Sequence, residues 1–210
     1  MPIVRSPKEK RERAVGEPLN LKAERSGTPK SALVRKPYKP GQHGQSSSNR
    51  RFSGSDFSVQ LKEKQKLKLT YDLKEKQLRA IFTKAIKSRS KTESKLIALL
   101  ESRFDNVVFR LGFTLSRITA KQSILHGHLT INGRRVTYPG CEIKIGDVIS
   151  FHPDSKTKHI FKSASARLTK YEVPVWLMLD REKLEGKMVA VPSAVVLKFD
   201  LNLIVGYYSR

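Results

Sequence analysis

The sequence predicts an α+β protein made of an extended basic N-terminal arm, a mainly helical domain, and a small α/β domain of a helix pair plus antiparallel strands. Three observations predict it. Residues 1–55 show no sustained apolar period and contain Pro2, Pro7, Pro18, Pro29, Pro37 and Pro40. From Phe57 to Leu111 apolar residues recur every three to four positions, the period of a helix with one buried face. After Leu129 the pattern shortens to three- and four-residue apolar runs separated by Asn-Gly and Gly-Asp, the punctuation of antiparallel strands.

The proline-rich arm carries the polar run Ser46-Ser47-Ser48-Asn49-Arg50-Arg51. Such a segment buries too little apolar surface to offset ordering, so it is expected to order mainly on a partner. The first helix spans about 56–68, opened by Ser55 or Asp56, whose side-chain oxygens can cap free N–H groups. It is dense in Lys62, Lys64, Lys66 and Lys68. The second, near 74–89, places Leu78, Ile81, Phe82, Ala85 and Ile86 on one core-facing stripe. A third begins near Thr92, breaks near 100–102 and ends at Gly112, a left-handed C-terminal stop. Ser116 or Thr114 then caps a helix through Leu125, closed by His126-Gly127. Leu129–Ile131 reads as a strand, Asn132-Gly133 as a type I′ turn, and Arg134–Thr137 as the returning strand. Ile143–Ile145 and Val148–Phe151 read as two further strands around Gly146-Asp147. Asp180–Glu185 reads as a short helix closed by Gly186, followed by a strand Met188–Val191. The apolar ending Leu203–Tyr208 is too short for its period to decide.

The charge identifies the class of partner. The chain has 42 Lys+Arg against 19 Asp+Glu, a net charge of +23. Residues 1–100 hold 25 basic and 9 acidic side chains (+16), and residues 101–210 hold 17 and 10 (+7). Both halves therefore attract a polyanion. No apolar run approaches the roughly 20 residues of a membrane-spanning helix, so a membrane is not the expected polyanion. The single cysteine, Cys141, cannot form an internal disulfide and is expected to be a small apolar filler. The N-terminus lacks the apolar core of a signal peptide. No Ser-His-Asp order, paired-carboxylate motif or metal-protease signature is present, so no catalytic residue is expected.

The densest cationic constellation lies in 103–135. Arg103 and Arg110 are seven residues apart and share a helical face. Arg117 and Lys121 are an i, i+4 pair at the start of the next helix, and His126, His128, Asn132, Arg134 and Arg135 follow at a hairpin. Few carboxylates lie nearby; Glu101, Asp105 and Asp147 are the ones able to neutralise part of the face. A fixed cationic face of this kind suits structured RNA, which is read largely through phosphates, 2′-hydroxyls and shape. Arg110→Ala or Arg117→Ala is expected to weaken RNA binding with little loss of folding. His43, between Gly41 and Gly44, could touch a phosphate or base edge, or simply mark a turn. Trp176 is expected to anchor packing.

The run Leu100-Glu101-Ser102-Arg103-Phe104-Asp105-Asn106-Val107-Val108-Phe109-Arg110-Leu111-Gly112-Phe113 resembles the opening helix of the S4 RNA-binding domain. Ser116-Arg117, Ala120, His126-Gly127-His128, Asn132-Gly133-Arg134-Arg135-Val136 and Gly146-Asp147-Val148-Ile149 continue that motif in order. Outside it, Tyr38–Gln45, Gln60–Leu67, Trp176-Leu177 and Tyr207-Tyr208-Ser209-Arg210 are similar to segments of the bacterial-type S4 family of small-subunit ribosomal proteins. The resemblance implies an arm at 1–45, a helical domain at 46–100 joined by the C-terminal segment 196–210, and an inserted S4 domain at 101–195. It implies RNA contacts at Lys36, Tyr38, Gln42, His43, Arg50, Arg51, Lys62, Lys64 and Lys66, besides the constellation in 103–135. The implied partners are a multi-helix junction in the 5′ domain of small-subunit rRNA, neighbouring small-subunit proteins (number five especially), and mRNA where it enters the subunit. The implied place is the ribosome in the cytoplasm, or in an organelle, with a role in early assembly and decoding accuracy; some family members repress their own mRNA. Many members also hold zinc on four arm cysteines. Here Glu9, Glu12, Ser26 and Ser31 stand at those places, and serine is a poor zinc ligand, so no metal or other cofactor is expected. Glu9 and Glu12 are expected to pair locally with Lys8, Arg11, Arg13 or Arg25.

Two other functions use the same module: an RNA-modifying enzyme of the pseudouridine-synthase kind, and a stand-alone stress-type RNA binder. The first needs a catalytic domain, and the arm, three helices and C-terminal segment leave too little chain for a buried pocket. The second needs less chain than this.

Overall fold

A computed structural model describes residues 7–22, 25, 28–44, 55–88, 91–155, 164–165, 167–168, 171–192 and 199–209. The chain packs as two compact units, one of residues 1–78 with 197–210 and one of residues 79–196.

In the first unit the arm is not wholly extended. Helix α1 spans Lys8–Val15 and ends at Gly16 in the left-handed region, φ 81°. A short helix α2 spans Ala32–Arg35. The apolar signal is weak because, among the described arm residues, only Val15, Leu19 and Leu21 are buried apolar side chains. Backbone hydrogen bonds do the rest. Buried Glu12 accepts from the Leu21 N–H at 2.9 Å. Arg13 donates to the carbonyls of Lys36 and Tyr38 and lies over the Tyr38 ring, 4.9 Å from its centroid. Glu9 pairs with Arg25 at 3.6 Å and with Lys22 at 3.7 Å. The expected local pairing is thus met at Glu9–Arg25, while Glu12 serves a backbone N–H instead of an arginine.

Helix α3 spans Asp56–Thr70, capped by Ser55, which accepts from the Ser58 N–H. Helix α4 spans Glu75–Ile86. Its stripe is narrower than expected: Leu78, Phe82 and Ala85 are buried and Ile86 is exposed. The apolar ending forms helix α8, Leu201–Tyr208, capped by Asp200. It packs on α3, with the Phe57 and Tyr207 rings 5.7 Å apart.

In the second unit, α5 spans Thr92–Glu101 and α6 spans Phe104–Arg110, with the break at Ser102-Arg103. The first N–H groups of α6 are satisfied from outside the helix: Phe104 donates to the Cys141 carbonyl and Asp105 to the Pro139 carbonyl. Gly112 follows at φ 78°. Helix α7, Arg117–Leu125, is capped by Ser116, which accepts from the Thr119 N–H at 3.2 Å. Among the described residues five strands form one antiparallel sheet in the order β2-β1-β3-β5-β4: β1 Leu129–Ile131, β2 Arg134–Arg135, β3 Val148–Phe151, β4 Leu177–Asp180 and β5 Glu185–Met188. Asn132 (φ 51°) and Gly133 (φ 76°) both take positive φ between β1 and β2, as a type I′ turn requires. The sheet's inner face meets α6 and α7 through Phe104, Val108, Leu111, Ile124, Leu129, Ile149 and Phe151, with Trp176 and partly buried Cys141 packed into the same cluster.

Three expectations are corrected. Ile143–Ile145 forms no ladder strand: Glu142 makes an isolated bridge with Arg103, and the Ile143 N–H donates to the Ser102 carbonyl, so the segment splints the α5–α6 break. Asp180–Glu185 is not a helix; it turns between β4 and β5, with Leu184 at φ 53°. Gly186 therefore closes no helix and sits inside β5, where an added Cβ would meet the Leu111 side chain. The strand expected at Met188–Val191 lies three residues earlier, at Glu185–Met188.

Candidate nucleic-acid interface

Helices α6 and α7 pack on each other, and a polar network fixes their cations. Glu101 and Asn106 are fully buried, at 0% exposure each. Arg110 donates two bonds of 2.9 Å to the Glu101 carboxylate. The Asn106 amide donates to the Glu101 carboxylate at 2.8 Å, and its carbonyl accepts from Arg117 Nε at 2.7 Å. The Arg117 guanidinium lies over the Phe109 ring, 4.6 Å from its centroid. Tyr171 stands close to both arginines: burial raises its hydroxyl pKa, and the Arg110 and Arg117 charges oppose the rise. Arg103 makes a second forked pair, with Asp105 at 3.1 and 2.6 Å. Burial pushes the Asp105 carboxyl up, against the pull of Arg103 and, more weakly, Lys121.

The hairpin carries cations of a different kind. Arg134 is exposed, and its side chain pairs with no described residue. Arg135 is also exposed but held, donating to the His126 carbonyl at 3.1 Å. Its guanidinium lies across Gly127, where an added Cβ would come within 2.0 Å of Nε. The His126 and His128 rings stack 5.9 Å apart, and His128 Nδ1 shares a 3.0 Å hydrogen bond with Ser155. Asn132 is engaged within the fold: its amide donates to Asp147 and its carbonyl accepts from the Val148 N–H. It sets the turn.

In the first unit the expected residues separate. Lys64 is buried and donates to Glu75 at 3.0 Å and to the Tyr207 hydroxyl at 3.1 Å. Lys66 is buried between Glu17, at 2.6 Å, and Glu63. Lys62 on the same helix is exposed, as are Lys36, Gln42 and His43. Tyr38 is half-buried under Arg13. The glycines around His43 serve the turn itself: an added Cβ on Gly44 would overlap the Lys39 carbonyl. Arg50 and Arg51 lie outside the described residues.

The face of uncompensated cations is thus smaller than expected. Arg103, Arg110, Lys64 and Lys66 are neutralised by Asp105, Glu101, Glu75, Glu63 and Glu17. The reason is tertiary: Glu101, Asp105 and Glu63 are buried, and a carboxylate sealed in a protein interior demands a partner, while the half-exposed Glu75 and Glu17 come within reach of Lys64 and Lys66 only when the chain packs. Asn106, Phe109 and Tyr171, which orient Arg117 and border Arg110, were not singled out from the sequence. An amide, a phenylalanine and a distant tyrosine carry no signal until the helices pack. Among the described residues no cluster of His, Cys, Asp or Glu could hold a metal ion. The arm positions at which the resemblance implies a metal do not fit one either. Glu12 is occupied by the Leu21 N–H and Glu9 faces Lys22 and Arg25, and no thiolate is present.

Residues 4–101 match the family described as ribosomal protein S4/S9 N-terminal domain, and residues 102–149 match the S4 domain. The small ribosomal subunit protein uS4 of Thermus thermophilus is 42% identical over 200 residues, covering 94% of each chain. The chain belongs to the uS4 family. The uS4 of Heliobacterium modesticaldum is 42% identical and the uS4A of Alkaliphilus oremlandii 44%, over the same share of each chain. The boundary between the two domain matches, at 101/102, coincides with the backbone break between α5 and α6. The S4 match takes in α6, α7 and the β1–β2 hairpin, where the polar network and the exposed arginines lie.

Proposed function

We propose that this uS4-family chain is a non-catalytic protein of the small ribosomal subunit that binds folded rRNA through α6, α7 and the β1–β2 hairpin. The observation that carries this reading is the pair Arg134 and Arg135. Both are exposed, and Arg135 is positioned by a neutral carbonyl, so its charge stays available while its place is fixed. Forked guanidinium groups suit phosphate oxygens. Arg117, seated on Asn106 and Phe109, extends the same face, with Lys121, His126 and His128 beside it. Arg103 and Arg110 build the platform beneath and do not themselves need to reach RNA. In the first unit, Lys36, Tyr38, Gln42, His43 and Lys62 are a second set of contacts.

Family membership supports the finer reading. The target is the 5′ domain of small-subunit rRNA, bound early in assembly. The bound protein lies beside small-subunit protein number five where mRNA enters, and it contributes there to decoding accuracy. Sedimentation of cell lysate tests the assignment: the chain is expected to migrate with the small subunit. Arg134→Ala/Arg135→Ala tests the face. Binding to a folded junction RNA should weaken and its salt slope should fall by about 2, one per lost phosphate contact, with the melting temperature unchanged. An unaltered affinity and slope would remove the hairpin from the interface.

A further inference from the structure

A groove of about 1170 Å³ runs between α1 and α3 in the first unit. On α3 its wall carries the aliphatic Val59, Leu61 and Leu69, interspersed with Ser58, Lys62, Glu63, Gln65 and Lys68. Lys39, Lys62 and Lys74 line it as well, all exposed, and their side chains pair with no described residue. Five basic and three acidic residues line it in total. Two of the acids, Glu75 and Glu63, are paired with Lys64, Lys68 and Lys66.

We propose that this groove seats an unpaired stretch of RNA, with bases against the aliphatic side chains and phosphates on Lys39, Lys62 and Lys74. Shape and charge both favour a strand. From Ser58 to Leu69 the wall follows α3 for about 16 Å at 1.5 Å per residue, longer than a single nucleotide needs. A trough that offers both aliphatic and cationic side chains matches the two faces of single-stranded nucleic acid, its bases and its phosphates. A duplex buries its bases and offers this wall nothing. Among the described residues the lining carries no aromatic ring, so binding should be tolerant of sequence and weaker than on a stacking platform. This inference rests on the RNA-binding reading above, shares Lys62 with its second set of contacts, and uses a surface other than the hairpin.

The test is photo-crosslinking of the full chain to a short single-stranded RNA carrying 4-thiouridine, with a duplex of equal length as competitor. Crosslinks are expected on the peptide containing Val59 to Leu69, retained in Arg134→Ala/Arg135→Ala and resistant to the duplex. Lys62→Ala/Lys74→Ala should lower the salt slope for the single strand by about 1.4, at roughly 0.7 per phosphate, with an unchanged melting temperature. Crosslinks confined to residues 103–135, or displaced equally by duplex, would overturn the groove and leave the hairpin interface standing. Failure to bind any RNA would overturn both.

Discussion

Glu101 is fully buried, and Arg110 neutralises it through two hydrogen bonds. Removing one partner of such a pair leaves an uncompensated buried charge, a loss of roughly 3–5 kcal/mol. Arg110→Ala is therefore expected to destabilise the second unit by about that amount in urea denaturation, which corrects the expectation that it spares folding. A loss under about 1 kcal/mol, the worth of an exposed pair, would show that the carboxylate finds another donor. In sequence Arg110 and Arg134 look alike. Burial of an acid nine residues upstream makes one structural and leaves the other free. The types of residue at this face were legible in the sequence; which of them are spent inside the fold was not.

Two elements depend on ionised or polar side chains that carry no hydrophobic signal. Helix α1 is tied down by Glu12, which accepts from the Leu21 N–H. Glu12→Ala leaves that buried donor unsatisfied, a cost of about 1–3 kcal/mol. Faster hydrogen exchange at the Leu21 amide, with protection in α6 unchanged, is the expected sign; unchanged exchange at Leu21 would mean the arm holds without it. Helix α8 is held against α3 and α4 by a cluster in which Lys64, Lys68 and Tyr208 donate to Glu75. Burial alone would raise the Glu75 pKa, but those hydrogen bonds hold it down at about 2. A carboxyl depressed below its unfolded value of about 4.3 stabilises the fold above that pH and loses the contribution as pH falls toward 2. Lys64 moves the other way. Burial lowers its pKa, but the bonds to Tyr207 and Glu75 prevail and raise it, so its contribution persists through neutral pH and fades only in strong alkali. Between pH 6 and pH 3 the wild-type chain should lose more thermal stability than Glu75→Gln, read by circular dichroism. Equal losses would assign acid sensitivity elsewhere. Because the Glu75 side chain is 46% exposed, solvent screening keeps the effect small.

At the scale of the whole molecule the net charge of +23 sets how binding responds to salt. If the two units together neutralise 6–10 phosphates, affinity for a folded target RNA should fall about 10³–10⁵-fold between 50 and 200 mM salt. A loss of less than tenfold would point to recognition through a few contacts and leave most of the charge as solubilising surface. The same excess explains why four buried or half-buried cations can be committed to acids without exhausting the basic surface.

Periodicity, capping residues and turn chemistry are local properties, and the sequence by itself determined what they govern. Helices α3 to α7, the Ser55 and Ser116 caps, the Gly112 stop and the Asn132-Gly133 hairpin all stand where the sequence expected them. The overall charge and the resemblance to the S4 family were equally legible, since both are carried by residue identity. Tertiary structure alone decided the rest. A strand of four residues around Gly186 exists because Leu111 packs on the glycine and β3 offers an edge. A helix at Lys8–Val15 exists because a carboxylate and a guanidinium find backbone partners nine to 25 residues away. Which arginines remain free to meet a phosphate depends on where acids are buried, and burial is a property of the packed chain.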